Sequence, residues 1–173
     1  HTGPAYHTHI GRTVYGGGGI TPDIFIPEDT LGITSYYKEA SMTGLILQFA
    51  FTYTDDNRIK LNNFKEMMEL NDYLVKQNTV EKFATYADKN GLHRRNLMIK
   101  KSHSLLQRYI NSRIIYNIFD EGAWTEYLNM DDPTVDAALE VFRNKAAFPR
   151  KESTPKNNGK SEKTAAPQTA ASK

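Results

Sequence analysis

The sequence predicts a mainly α protein: a short N-terminal β-hairpin, a bundle of about five helices and a disordered tail. Three observations carry this. Triplets of β-branched and aromatic residues sit before Pro27, around the consecutive glycines Gly16 to Gly19. From Ser35 to Phe142, apolar residues recur at helical spacing, punctuated by cap residues. From Arg150 onward no large apolar residue occurs. The 173 residues thus divide into a β segment with a Gly-rich turn (1–28), a helical domain (29–149) and a basic tail (150–173).

Thr13, Val14 and Tyr15 suit a strand, because branched and aromatic side chains pack well on a pleated surface. Ile24, Phe25 and Ile26 suit a second strand. Pro22 and Pro27 confine it, since proline cannot donate to a ladder. Glycines between the triplets can take positive φ, so the pair reads as a hairpin with a long turn. Ahead of it, His1 to Ile10 reads as a strand or a loose lead-in. A phosphate loop would need a helix directly after the glycines, with its N–H groups aimed at the anion. Thr21-Pro22-Asp23 and a strand follow instead, which excludes a nucleotide site.

Pro27 to Thr30 is a turn, and a central helix is expected from Ser35 to Tyr53, capped by Thr34 or Ser35. Tyr36, Ala40, Leu47 and Phe51 share one face; Leu45, Ile46, Phe49 and Tyr53 extend apolar character around the other, so the helix should be buried. Gly44 within it is read as room for a neighbouring backbone. Asp55-Asp56-Asn57 is a turn. It resembles half a calcium loop but lacks that loop's glycine and distant glutamate. Leu61 to Gln77 is the next helical stretch, with Met67 and Met68 as core filler. Asn78 to Asn90 follows, with Asn78 and Glu81 as a capping box and Gly91 as the left-handed stop. Leu92 to Phe119 reads as one long helix. After a turn at Asp120 to Gly122, Ala123 to Asn129 is a short helix with Trp124 and Leu128 inward. Asp132-Pro133 starts the last helix, with Val135, Ala138, Leu139 and Phe142 as its apolar stripe. The residues after Arg150 cannot bury enough surface to offset their ordering entropy.

No catalytic, cofactor-binding or metal-binding residue is assigned from the sequence. His7 and His9 alternate, and such a pair can hold a metal, but no further ligand is evident nearby and an exposed edge is the simpler reading. Ser35 and Lys38 fit the Ser-x-x-Lys pattern of penicillin-binding serine enzymes, but the partner motifs are missing and Ser35 has a structural role as a cap. Ser102, His103 and Ser104 are neighbours on a helix and therefore point apart. Asp131 and Asp132 are a paired carboxylate only in sequence; a helix start explains them. Arg94, Lys101 and Arg108 recur every seven residues, with no acid between Arg94 and Arg113. That basic edge could dock an acidic partner, an anionic lipid surface or acidic parts of a parent enzyme, although a solvated face is the simpler reading.

Composition narrows the classes. The chain has no cysteine, which excludes disulfides, thiolate metal sites and a cysteine nucleophile. Mean hydropathy is −0.61. The run from Gly44 to Phe51 is broken by Gln48 and falls far short of the roughly 20 residues a membrane helix needs. Of 22 Lys and Arg, six lie from Arg150 onward, with only two of the 20 acidic residues. The basic balance therefore belongs to the tail and does not argue for nucleic acid. The start at His1-Thr2-Gly3-Pro4 carries no signal sequence and reads like the interior of a longer protein.

Gly11-Arg12, Val14-Tyr15-Gly16-Gly17-Gly18-Gly19-Ile20 and Pro22-Asp23 together resemble the segment near the end of the protease domain of C-terminal processing (tail-specific) serine peptidases. Asp29 to Pro149 is similar in kind to the helical extension of members from the Bacteroides group. The resemblance implies a bacterial serine-type endopeptidase of the periplasm or cell envelope that uses a Ser/Lys dyad without a cofactor. It places the dyad and the peptide-binding domain upstream of Gly16, so no dyad position carries over onto this chain. The implied partners are a protein or peptide substrate, the upstream protease and peptide-binding domains, and further copies of the same chain. The alternative reading is a non-catalytic helical module for protein interaction.

Overall fold

The computed structural model of the chain describes residues 3–9, 13–19, 22 and 24–144. It separates into two units, His1–Asp23 with Asn144–Lys173, and Ile24–Arg143. The tail from Arg150 that the sequence predicts to be disordered lies outside the described residues, as do Gly11, Arg12, Ile20, Thr21 and Asp23.

In the first unit β1 (Ala5–His7) pairs antiparallel with β2 (Thr13–Tyr15), in the register Ala5 to Tyr15, Tyr6 to Val14 and His7 to Thr13. This corrects the expected partner. Ile24, Phe25 and Ile26 form no strand, and Ile24 and Phe25 are exposed. The alternating lead-in takes their place because it reaches β2 without spanning the glycines. The glycines serve its end instead. Gly16 N–H donates to the Pro4 carbonyl at 2.9 Å, and a Cβ on Gly3 would lie 1.6 Å from the Gly16 oxygen.

The second unit is helical. Its elements are α1 (Ser35–Met42), α2 (Leu45–Asp56), α3 (Arg58–Leu61), α4 (Met67–Lys76), α5 (Thr79–Lys89), α6 (Asn96–Lys101), α7 (His103–Ile118), α8 (Glu121–Asn129) and α9 (Pro133–Arg143). Where the sequence suggests about five long helices, the described residues form more and shorter ones, and each break has a local cause. The helix expected over Ser35 to Tyr53 divides at Gly44, which sits at φ 74°. Nothing lies within 4 Å of a Cβ placed there, so this glycine supplies a left-handed turn and not a close approach. The turn resets the helical phase. Leu45, Ile46, Phe49, Ala50 and Tyr53 go inward, while Leu47 and Phe51 face out. Asp55 and Asp56 finish α2; only Asn57 breaks it, donating Nδ2–H to the Tyr53 carbonyl. The helix expected over Leu92 to Phe119 is interrupted at Ser102.

Several ends follow their sequence signals. Thr34 caps α1, its hydroxyl accepting the Tyr37 N–H, so Ser35 is the first helical residue and not the cap. Gly91, at φ 95°, closes α5: Leu92 N–H donates to Ala87 O and Gly91 N–H to Asp88 O. Asp120 caps α8, accepting from Ala123 N–H. Asn78 departs from expectation. It takes φ 52°, makes no side-chain cap, and Glu81 reaches Arg94 instead of completing a box.

The core centres on α7, which packs against α2, α4, α5 and α8. Leu106, Ile110, Ile114 and Ile115 from α7 meet Ile46, Leu70, Leu74, Phe83 and Ala84, all fully buried. Phe49 stacks its ring near Tyr53, Phe83 and Tyr86. Met67 is core filler as expected, whereas Met68 is exposed. The stripe on α9 is not buried: Leu139 and Phe142 face solvent, because α9 makes few contacts within its unit.

Replacing Ile110 by alanine should lower stability by about 2–5 kcal/mol in urea denaturation, against less than about 0.5 kcal/mol for Phe142→Ala. Gly44→Ala should cost about 1 kcal/mol or more, from strain at positive φ.

Candidate functional site

The residues singled out in the sequence do not converge. Ser35 donates its hydroxyl to the Met98 thioether at 3.2 Å, and Lys38 is exposed with no bond to Ser35. Ser102 is buried; its hydroxyl donates to the Gly32 carbonyl and shares a 2.7 Å hydrogen bond with Thr34. His103 and Ser104 are exposed beside it and form no triad. Asp132 accepts backbone N–H bonds from Thr134 at 2.7 Å and Val135 at 3.2 Å, which hold its carboxyl below the ordinary range and make it the cap of α9. Asp131 occupies the turn before it at φ 58°. His7 Nδ1 lies 3.3 Å from the Thr13 hydroxyl across the hairpin, and no group of three or more metal-ligating side chains occurs among the described residues.

The basic edge also resolves into structural contacts. Arg94 pairs with Glu81 and bonds Asn96, and Arg95 pairs with Glu39. Arg108 donates to the carbonyls of Leu128 and Met130 at 2.7 and 2.6 Å, closing the C-terminus of α8 with a cation where the helix dipole favours one. Of the seven-residue repeat Arg94 and Lys101 are exposed, and Lys101 makes no ion pair among the described residues. That exposure is in keeping with a solvated face, while the ion pairs and Arg108 brace neighbouring elements.

Buried polar groups are tied together inside the bundle. Asn111 of α7 is fully buried, accepts from the Thr79 hydroxyl and donates to Asn71 Oδ1, which also accepts from Tyr127. This links α4, α5, α7 and α8 and has no signature in the sequence, since Asn111 lies among apolar residues at ordinary spacing.

One cleft stands out against this background. It lies between α7 and α8, with Tyr37 of α1 at its edge, and holds about 290 Å³. The Arg113 guanidinium lies 5.7 Å from the Tyr109 ring centre and 5.0 Å from that of Trp124. Tyr116 meets Trp124 edge-on at 5.9 Å. Arg113 Nε and Trp124 Nε1 are buried and find no acceptor among the described residues. From the sequence Trp124 is expected inward, whereas Arg113 stands out only as the end of the acid-free run. The signal available was Tyr109 four residues before it, a spacing that puts ring and cation on one helical face.

Residues 36–120 match the model of a family of unknown function (DUF8443). No curated protein matches the chain, and no solved structure does. The matched range runs from α1 to the cap of α8, so it includes Arg113 but stops before Trp124, and it leaves out the Gly-rich segment. None of the described helices is long and apolar enough to cross a membrane.

Burial pushes the Tyr53 phenol up to about 12, with the nearby Tyr73 adding to the effect. The folded state thus holds this proton more tightly than the unfolded chain, whose tyrosine titrates near 10. Its stabilising contribution is complete below pH 10 and is lost as pH rises towards 12. Alkaline unfolding followed by circular dichroism should show a smaller drop across that window for Tyr53→Phe. Asn111→Ala should cost about 1–3 kcal/mol in denaturant titrations, because Thr79 on α5 and Asn71 on α4 each lose a hydrogen bond to this buried side chain.

Proposed function

We propose that this chain is the C-terminal part of a serine-type endopeptidase resembling the tail-specific peptidases, acting in the periplasm or cell envelope. The helical unit is its accessory, non-catalytic part. The observation that carries the reading is the sequence from Gly11 to Asp23, with its four glycines preceded by Gly-Arg and Val-Tyr and followed by Ile-Thr-Pro-Asp. The engagement of Ser35, Ser102, Ser112 and Asp132 in structural hydrogen bonds supports a non-catalytic role for the helices.

In this reading the nucleophile is a serine upstream of Gly16, activated by a lysine whose pKa burial lowers. The substrate is a protein or peptide held by an upstream binding domain. The helices brace the protease domain or shape access to it, in one copy or in an oligomer.

A second reading is a helical interaction module without chemistry. It is favoured by the apolar side chains left outside, Leu139 and Phe142 on α9 and Leu47 and Phe51 on α2.

A peptidase assay separates them, using an unstructured peptide with an apolar C-terminus. The chain joined to its genomic upstream sequence should cleave, mutation of the upstream serine should abolish cleavage, and the chain alone should be inactive. Cleavage by the chain alone would overturn the accessory role and make Ser35→Ala the first variant to test. Failure of the joined protein to cleave would favour the interaction module.

A further inference from the structure

Four other arginines of the helical unit are matched with oxygen. Arg58, Arg94 and Arg95 face carboxylates, and Arg108 faces two carbonyls. Arg113 is different. It is half-buried, held between two aromatic rings, and no carboxylate among the described residues pairs with it. A cation removed from water without a counter-charge is costly. The rings recover part of that cost, but they leave its buried Nε–H unanswered. The buried indole N–H of Trp124 is likewise unanswered, and the Trp124 side chain lines the same cleft.

No Asp or Glu lines the cleft, and Arg108 adds a second positive charge to its wall. The remaining wall is mostly apolar, built from Leu105, Leu128 and the aromatic rings, with Ser112 among them. A volume of about 290 Å³ lies at the small end of ligand pockets and suits a compact molecule, not a folded partner. A flat anion with two oxygens matches the planar fork of a guanidinium and lets an attached ring lie on the apolar part of the wall.

We propose that this cleft binds a small aromatic carboxylate. The carboxylate accepts from the Arg113 guanidinium beside the Trp124 ring, and the ligand's ring lies against Leu105 and Leu128.

The chain supplies its own reporter. Trp124 is its single tryptophan, so one indole N–H signal in a nitrogen–proton correlation spectrum reads this cleft alone. Titration with benzoate at neutral pH should move that signal saturably, with a dissociation constant in the millimolar range expected for about nine non-hydrogen atoms. Benzamide, of equal shape but uncharged, should bind at least about tenfold more weakly. Arg113→Gln should lose about tenfold or more, and Arg113→Lys should fall between, since it keeps the charge but not the planar fork. Absence of a saturable shift, equal binding of benzamide, or full affinity in a folded Arg113→Gln variant would each overturn the proposal. Should Arg113→Gln fail to fold, the comparison of benzoate with benzamide on the unaltered chain decides it.

Discussion

The helical unit depends on burying one helix from several sides. α7 carries aliphatic residues that reach α2, α4, α5 and α8, and its Leu106, Ile110, Ile114 and Ile115 lose all contact with water. The helices around it are short, and short helices are marginal alone, so their stability comes from this shared surface. A buried asparagine in the same helix limits how the neighbours can dock. Asn111 needs Thr79 and Asn71 at fixed positions, and a slip of either helix would strand a polar group in the core.

Local signals were legible where one residue has one conformational role. Gly91 marks a left-handed stop whatever surrounds it, and Asp132 before Pro133 marks a helix start. The mainly α class with an N-terminal hairpin was legible for a related reason, since apolar periodicity changes after Pro27. Helix continuity was not. Gly44 could be an interior glycine with a close neighbour or a break, and only the packing of Leu45 and Ile46 decides between them. Ser102 is still less informative, because a serine within a helical pattern is ordinary. Its break is fixed by hydroxyl partners 68 and 70 residues away. The hairpin partner was missed because both flanking triplets suit strands and the choice lies in loop length.

The candidate site was hidden for a different reason. Charges were visible in sequence as a run, and a run suggests a surface. In the fold these cations separate into different environments: Arg94 and Arg95 in ion pairs, Arg108 at a helix end, Arg113 between rings. Sequence spacing gives the face of a helix but not which element covers that face. Trp124 approaches Arg113 only because α8 folds back on α7, through a cap at Asp120 that leaves little freedom in the connection.

The hydroxyl of Ser102 has a mechanical consequence. It joins the carbonyl of Gly32 and the hydroxyl of Thr34 to the interruption between α6 and α7. Chain entering the helical unit through residues 24–33 is therefore fastened at the bundle's interior before α1 begins. Tension along that segment would load the α6–α7 junction first and would reach α1 only after those bonds part. Peeling from the N-terminal side thus meets a clasp near the middle of the sequence, and the bundle resists as a block where a fraying end would yield turn by turn.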